Sequence, residues 1–193
     1  MLHLKLPTDP RWANLAEKSI EEILVDHAFC EQKAATSCIS LIVTYSYLKP
    51  IVDAITPVVR EEWDHFSLVL QEIYKRGFEL GKPRKDEYVN KLLSFQKRGV
   101  SKEIVLVDKL LTNALIEARS CERFKLLSEK LSDPYYKKFY HSFMVSEAGH
   151  YRLFMDLAKI YQTDLYVKKR WEEFLNFEKK IMTQLELRGD RMH

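Results

Sequence analysis

The chain contains two copies of a short motif, Glu-x-x-His, at Glu62 and His65 and again at Glu147 and His150. On an α-helix, residues three apart project from the same face, so each copy presents a carboxylate and an imidazole at one point beside its helix. A single copy is common by chance. Two copies, each preceded by a glutamate on an apolar helix face, predict paired helices that hold two metal ions.

The composition favours long helices. With 5 Gly, 6 Pro and 46% hydrophobic residues, the 193-residue chain fits neither a turn-rich β protein nor a disordered one. Its length suits a single domain with a sizeable core, so we expect one all-α domain over residues 1–193. We find no apolar run of about eighteen residues and no signal-peptide core near the first residues, which predicts a cytoplasmic protein with no membrane association.

Apolar periodicity and capping residues predict the order of the helices. A ferritin-like four-helix bundle needs a long crossover between its second and third helices, and residues 77–100 supply one. The residues after the last helix are expected to be mobile. The predicted helices run from Trp12 to about Leu48, Ile51 to Arg76, Asp86 to Lys97 (a short helix in the crossover), Ser101 to about Leu131, Pro134 to about Tyr161, and an additional C-terminal helix over about 163–188.

Each Glu-x-x-His helix needs a single glutamate from a partner helix. Glu31 lies in an apolar stripe with Ala28 and Ala35, which favours it on the first helix. On the third helix, Glu117 has the more apolar neighbours, and its separation from the following motif matches that of Glu31. A weak internal repeat instead aligns Glu31 with Glu122, so Glu122 stays an alternative to Glu117.

The predicted ligands are four carboxylates and two imidazoles, a set that suits iron or manganese better than structural zinc. Oxygen activation is the chemistry that such a site most readily supports. Further candidates, as hydrogen-bond partners that orient the ligand histidines, are Asp26, Glu61, Asp64, Arg119, Glu122 and Asp156. The predicted metal ligands, which are also the predicted catalytic residues, are Glu31, Glu62, His65, Glu117, Glu147 and His150.

Four segments resemble the MiaE-type tRNA hydroxylases, a family of ferritin-like non-haem di-iron monooxygenases. The segments are residues 25–35, 61–66, 114–124 and 146–151, and the run from Ile116 to Phe124 is the most specific. The resemblance implies hydroxylation of the isopentenyl side chain of 2-methylthio-N6-isopentenyladenosine next to the anticodon of tRNA. It also implies two iron ions, O2 as co-substrate, and an external reductase as electron donor.

A tRNA substrate would need cations for its phosphates. The net charge of +3 is too small to indicate a nucleic-acid partner, so the evidence for tRNA binding has to come from clusters of basic residues. We expect the protein to be a monomer or a weak oligomer. The candidate tRNA contacts are Lys82, Arg84 and Lys85 in the crossover, Lys97 and Arg98 after it, and Lys168, Lys169 and Arg170 in the C-terminal helix.

Two other functions fit parts of the pattern. A ferritin-like ferroxidase or a rubrerythrin-type peroxidase would share the ligands, although the chain lacks a Cys-x-x-Cys pair and the basic crossover has no storage role. A metal-free helical binding module is the third alternative. It would have to bury several carboxylates without a metal, which is unfavourable.

Overall fold

The computed structural model describes residues 2–193, and these residues form seven α-helices and no β-strand. None of the helices in this range is long and apolar enough to span a membrane. Because the described residues form helices and no strand, the predicted all-α class is confirmed. The helices are α1 (Arg11–Lys18), α2 (Ile20–Thr44), α3 (Lys49–Lys75), α4 (Glu87–Ser94), α5 (Lys102–Lys130), α6 (Pro134–Tyr161) and α7 (Asp164–Gln184).

The chain forms two compact units, each of which is described separately. The first unit comprises residues 11–85 and 188–192, and so contains α1, α2 and α3. The second unit comprises residues 2–10, 86–187 and 193, and contains α4 to α7. Each unit is built around one pair of long helices, α2 with α3 and α5 with α6.

In the first unit, α2 and α3 pack along each other through fully buried side chains such as Ile23, Leu24, Ile55 and Val69. The second helix of the pair ends where the sequence predicts. Gly77 has a φ of +76°, and the Phe78 amide donates to the Ile73 carbonyl at 3.0 Å. Glycine is the usual residue in this left-handed conformation. The turn that it allows lets following amides donate to the last carbonyls of the helix.

The prediction of one unbroken first helix from Trp12 to Leu48 is wrong. The structure divides this stretch at Ser19, whose φ of −120° and ψ of 40° are not helical, and α2 ends at Thr44. The break lets α1 bury Trp12, whose indole Nε1 donates to the Arg191 carbonyl at 3.2 Å. Apolar spacing continues on both sides of Ser19, so periodicity alone did not reveal the break.

The residues after α7 are held in place, so the prediction that they are mobile is also wrong. The helix ends at Gln184, short of the predicted residue 188. The backbone amide of Met192 donates to the Asp26 carboxylate at 2.8 Å, and Met192 itself is buried. A Cβ atom at Gly189 would lie 2.4 Å from the Leu15 backbone, so this close approach requires glycine.

In the second unit, α5 and α6 form the central pair, and both start at predicted caps. Ser101 accepts a hydrogen bond from the Ile104 amide, and Asp133 accepts one from the Tyr135 amide. Pro134 follows as the first helical residue of α6, where a missing amide hydrogen is harmless. These caps fix the start of each helix, and so fix the level of the functional residues that follow.

Candidate metal centre

The first cluster consists of Glu31 on α2 and Glu62 and His65 on α3, all within the first unit. One ligand atom from each of the three residues lies within 4.8 Å of the others. His65 Nδ1 lies 3.5 Å from Glu31 Oε2 and 3.7 Å from Glu62 Oε2. All three side chains are buried. The α2–α3 pair therefore brings together the predicted single glutamate and the predicted Glu-x-x-His.

His27 joins this cluster as a neighbour that the sequence analysis did not single out as functional. Its side chain is fully buried, and its Nε2 lies 2.7 Å from Glu31 Oε1, one helical turn along α2. A histidine donating to a carboxylate ligand holds that carboxylate in one orientation and tunes its basicity. The sequence signal for this contact is the spacing of four residues between His27 and Glu31, which places both side chains on the same face of α2.

The charges of the first cluster change the proton affinity of His65. Burial by itself lowers the pKa of this histidine, but hydrogen bonding to Glu31 and Glu62 and their negative charges outweigh it and raise the pKa to about 10. Without a metal, the imidazolium is thus the cation that neutralises the buried carboxylates. A bound metal ion would replace that proton, because only the neutral imidazole can ligate.

The second cluster consists of Glu117 on α5 and Glu147 and His150 on α6, all within the second unit. Ligand atoms of these three residues also lie within 4.8 Å of one another. His150 Nδ1 lies 3.8 Å from Glu147 Oε2, and all three residues are buried. Glu147 Oε2 is buried without a hydrogen-bond partner among the described residues. A buried carboxylate oxygen in this state is costly unless a cation satisfies it.

Glu122, the alternative ligand on α5, is engaged elsewhere in the second unit. Its carboxylate accepts hydrogen bonds from the amide and the hydroxyl of Thr8, at 3.1 and 2.7 Å, and it pairs with Arg119. It lies five residues from Glu117 and so points to a different side of the helix. Glu117 is the α5 carboxylate that the fold brings beside Glu147 and His150.

Asp26 and Arg119 also have partners other than the ligand histidines. Asp26 binds the Met192 amide. The Arg119 guanidinium is fully buried and donates to Glu178 through Nε at 2.9 Å and to the Leu6 carbonyl at 2.9 Å. These contacts tie the chain ends and α7 to the long helices, which is a structural role.

The chemistry of the two clusters fits a pair of metal ions. Each offers two carboxylates and one imidazole, hard and borderline donors that suit iron and include no thiolate. Cys121 lies near the second cluster, but burial, and next the charge of Glu147, raise the pKa of its thiol to about 11. The Cys121 thiol donates instead to the Met144 carbonyl at 3.3 Å. It therefore stays protonated and is a poor ligand.

The predicted tRNA contacts fall into three groups. Lys82 and Lys85 in the first unit, and Lys97, Arg98, Lys168 and Lys169 in the second, are exposed. Arg84 is half-buried and pairs with Glu22. The prediction that Arg170 contacts phosphates is wrong, because its side chain is buried and donates to both oxygens of Asp108, at 2.9 and 2.7 Å.

Two Glu/Glu/His clusters on paired long helices are the mark of the ferritin-like carboxylate proteins. A solved structure agrees: a protein with aldehyde deformylating oxygenase activity from Synechococcus matches with a TM-score of 0.93 and 32% identity, covering 98% of this chain and 94% of that one. The ferritin-like fold class is confirmed.

Within that class, the chain belongs to the MiaE family, whose model, described as tRNA-(MS[2]IO[6]A)-hydroxylase (MiaE), matches residues 1–193. Two relatives are named tRNA 2-(methylsulfanyl)-N(6)-isopentenyladenosine(37) hydroxylase. The one from Pseudomonas putida is 36% identical over 158 residues, covering 82% of this chain and 76% of the relative. The one from Salmonella typhimurium is 27% identical over 205 residues, covering 81% and 75%. The protein is an enzyme of the hydroxylase class.

Proposed function

We propose that this protein is an O2-dependent di-iron monooxygenase that hydroxylates the isopentenyl side chain of 2-methylthio-N6-isopentenyladenosine in tRNA. The observation that carries the metal part is the burial of two Glu/Glu/His clusters, each on its own pair of helices. Membership of the MiaE family and the names of the two relatives support the substrate. The proposal treats residues 1–193 as one catalytic domain.

In this proposal, Glu31, Glu62 and His65 of the first cluster and Glu117, Glu147 and His150 of the second hold the two iron ions. A reduced di-iron cofactor supplies the O2 activation that hydroxylation of an unactivated carbon needs, with electrons from an external reductase. Glu117 is preferred to Glu122 because Glu122 is already bound to Thr8 and Arg119. His27 holds the carboxylate of Glu31 in place.

The chain also has to keep water away from the reacting centre. Apolar side chains lie one helical turn from the second cluster on both helices: Ala114 before Glu117, and Phe143 and Phe154 on either side of the Glu147 and His150 pair. Ala114 and Phe154 are fully buried, and Phe143 nearly so. Buried apolar side chains one helical turn from the ligands favour a dry environment, in which the charges of the ligands act strongly.

Iron binding is the first test. Protein loaded with Fe²⁺ under anaerobic conditions and then desalted should retain about two iron ions per chain. Glu62→Ala and His150→Ala should each lose iron, with the helical circular dichroism kept. Glu61→Ala is the matched control, since Glu61 is the exposed neighbour of Glu62. Equal iron content in all four proteins would contradict the assigned ligands.

The reaction itself is the second test. Iron-loaded protein, a chemical or enzymatic reductant, O2 and tRNA carrying the isopentenyl modification should yield the hydroxylated nucleoside, detected by mass spectrometry after digestion. Incorporation of ¹⁸O from ¹⁸O2 would identify a monooxygenase. Iron retention without any hydroxylated nucleoside would favour the ferroxidase or peroxidase alternative.

The Synechococcus structure gives a reason to test a second activity. That protein is described as having aldehyde deformylating oxygenase activity, and it is 32% identical to this chain. Aldehydes should therefore be offered to the same iron-loaded preparation. Loss of the aldehyde with no reaction on tRNA would replace the proposed substrate and leave the metal centre intact.

A further inference from the structure

We propose that the outward face of α6 binds the single-stranded loop of the RNA substrate. This α6 face comprises Lys137, Lys138, His141, Val145, Gly149 and Arg152. The proposal rests on the proposed function, since it assumes a tRNA substrate, and it adds the surface on which that substrate docks.

The charge of the α6 face has one sign. Lys138, His141 and Arg152 are exposed and Lys137 is half-buried, at helical spacings that place them along one side of the helix. Between Pro134 and Met155 the only acidic residue is Glu147, which is buried in the second cluster. The chain as a whole has 31 basic and 28 acidic residues, so basic and acidic residues are almost equally frequent. A helix segment of this length without an exposed acidic residue differs from that balance.

The three full cations of this face are also available. Within residues 2–193, Lys137, Lys138 and Arg152 form no ion pair, whereas Arg84, Lys91 and Lys159 each pair with a carboxylate. An unpaired exposed cation can bind a phosphate without first breaking an internal contact. Phosphate contacts of this kind supply most of the affinity in protein–nucleic acid complexes.

Gly149 gives an independent indication that something approaches this helix. It lies in the middle of α6, is exposed, and a Cβ atom built there would have nothing within 4 Å. Glycine in a helix interior costs about 1 kcal/mol relative to alanine, and no packing in the chain explains it here. It leaves the backbone bare one residue before His150, where a ligand could come close to the helix.

The α6 face also offers apolar surface to bases. Val145 of this face is 58% exposed and lies one helical turn from Gly149. Tyr135, which lies outside the face at the start of the same helix, is 47% exposed. Single-stranded RNA is recognised by splayed bases that stack on aromatic or apolar side chains, with cations for the backbone. The combination of cations, exposed apolar side chains and a bare backbone fits an RNA loop better than an acidic protein surface.

The main competing occupant of the α6 face is an acidic electron donor. The same helix carries Glu147 and His150 on its buried side. The α6 face lies on the opposite side of this helix from these ligands, so the occupant is chosen by surface chemistry: the exposed Val145 and the bare backbone at Gly149 suit unstacked bases. We therefore assign the face to RNA and treat an acidic redox protein as the competing outcome.

The test compares two double variants that change the net charge equally. Lys138→Glu with Arg152→Glu alters the α6 face, and Lys179→Glu with Lys180→Glu alters two exposed lysines of α7. Binding of a fluorescent anticodon stem-loop RNA carrying the isopentenyl modification is measured by anisotropy at several salt concentrations. We expect the α6 variant to bind at least about tenfold more weakly, with a shallower salt dependence, and the α7 variant to bind within about threefold of the wild type.

RNA binding and hydroxylation by the wild-type protein separate failure of the docking surface from failure of the proposed function. If wild-type protein binds and hydroxylates tRNA while both double variants bind RNA equally well, the α6 face is refuted and the function stands. If the α6 variant binds RNA normally but loses only reductase-driven turnover, the face belongs to a protein partner and the proposal is overturned. If iron-loaded wild-type protein binds no RNA, both proposals fail.

A substitution at Gly149 tests the close approach separately. Gly149→Gln should raise the melting temperature or leave it unchanged, because glutamine is the better helix former and open space surrounds the position. The same variant should retain its iron and bind the stem-loop RNA at least about threefold more weakly, since the side chain would stand between the RNA and the helix. Unchanged RNA binding by a folded Gly149→Gln protein would overturn the close approach.

Discussion

Replacement of Arg119 by methionine should destabilise the fold severely. The guanidinium of Arg119 is fully buried and binds Glu178, which is also fully buried. Without it, the hydrogen bond left to Glu178 is the 3.4 Å contact from the Tyr88 hydroxyl to Oε1, and Oε2 has no hydrogen-bond partner among the described residues. The charge of the buried Arg123 also acts on this carboxylate, but without a hydrogen bond to Oε2. Removing one member of a buried ion pair costs about 3–5 kcal/mol, because the remaining charge is left uncompensated.

The size of the effect can be checked against two comparison variants. For a chain of this length, each kcal/mol lowers the melting temperature by about 2–4 °C, so Arg119→Met should lower it by roughly 6–20 °C. The double variant Arg119→Met with Glu178→Met should recover much of that loss, because neither member of this buried ion pair is left without the other. Lys91→Met, which breaks the more exposed pair with Glu87, should change the free energy of unfolding by less than about 1 kcal/mol.

Denaturant unfolding followed by circular dichroism measures all of these proteins under one condition. The reasoning would be refuted by an Arg119→Met protein that loses less than about 1 kcal/mol, or by a double variant that is no more stable than the single one. Either result would mean that Glu178 becomes neutral or hydrated at little cost. Iron content should be measured in parallel, since the network does not include the metal ligands.

Three further predictions follow from single contacts. His27→Ala should weaken iron binding about tenfold or more in a chelator competition, while His27→Gln should keep most of the wild-type affinity. Equal iron affinities of the wild type and His27→Ala would exclude a positioning role for His27. Asp26→Ala should cost about 1–3 kcal/mol in denaturant unfolding, since it leaves the buried Met192 amide unsatisfied, and an unchanged midpoint would contradict that. Cys121, with a pKa of about 11, should be alkylated much more slowly at pH 8 than the half-buried Cys30, and its rate should rise towards pH 11 as the thiolate forms. Equal alkylation rates of the two cysteines, measured by mass spectrometry, would contradict this.

The long helices and the two motifs could be predicted because both depend on local patterns. Helix starts at Ser101 and Pro134 follow from caps and from the fixed backbone angle of proline, and the structure places them at those residues. Residues three apart share a helix face wherever the helix goes, so Glu62 with His65 and Glu147 with His150 needed no tertiary information. The break at Ser19 had no such signal, because the apolar spacing is similar before and after it.

The choice between Glu117 and Glu122 shows why the rest depended on tertiary structure. Both residues lie on α5, and a count of apolar neighbours separates them only weakly. In the structure, the segment before α1 brings Thr8 to Glu122, where it donates two hydrogen bonds, and Arg119 joins them, which is why Glu117 is the ligand that we propose. Contacts across more than a hundred residues leave no periodic trace in the sequence.

Similar long-range contacts hold the described segments before α1 and after α7, although these segments contain no helix. Asp26 lies on α2, and the sequence around it predicts a helix but no contact with another segment. In the structure its carboxylate accepts a hydrogen bond from the amide of Met192. A buried aspartate that is not a metal ligand needs a donor, and the tail supplies one. The sequence pattern led us to expect that Asp26 and Arg119 orient the ligand histidines, and only the structure shows that their partners are Met192 and Leu6. The Glu-x-x-His motifs predict the chemistry, and the contacts of Asp26 and Arg119 fasten the segments outside the long helices to them.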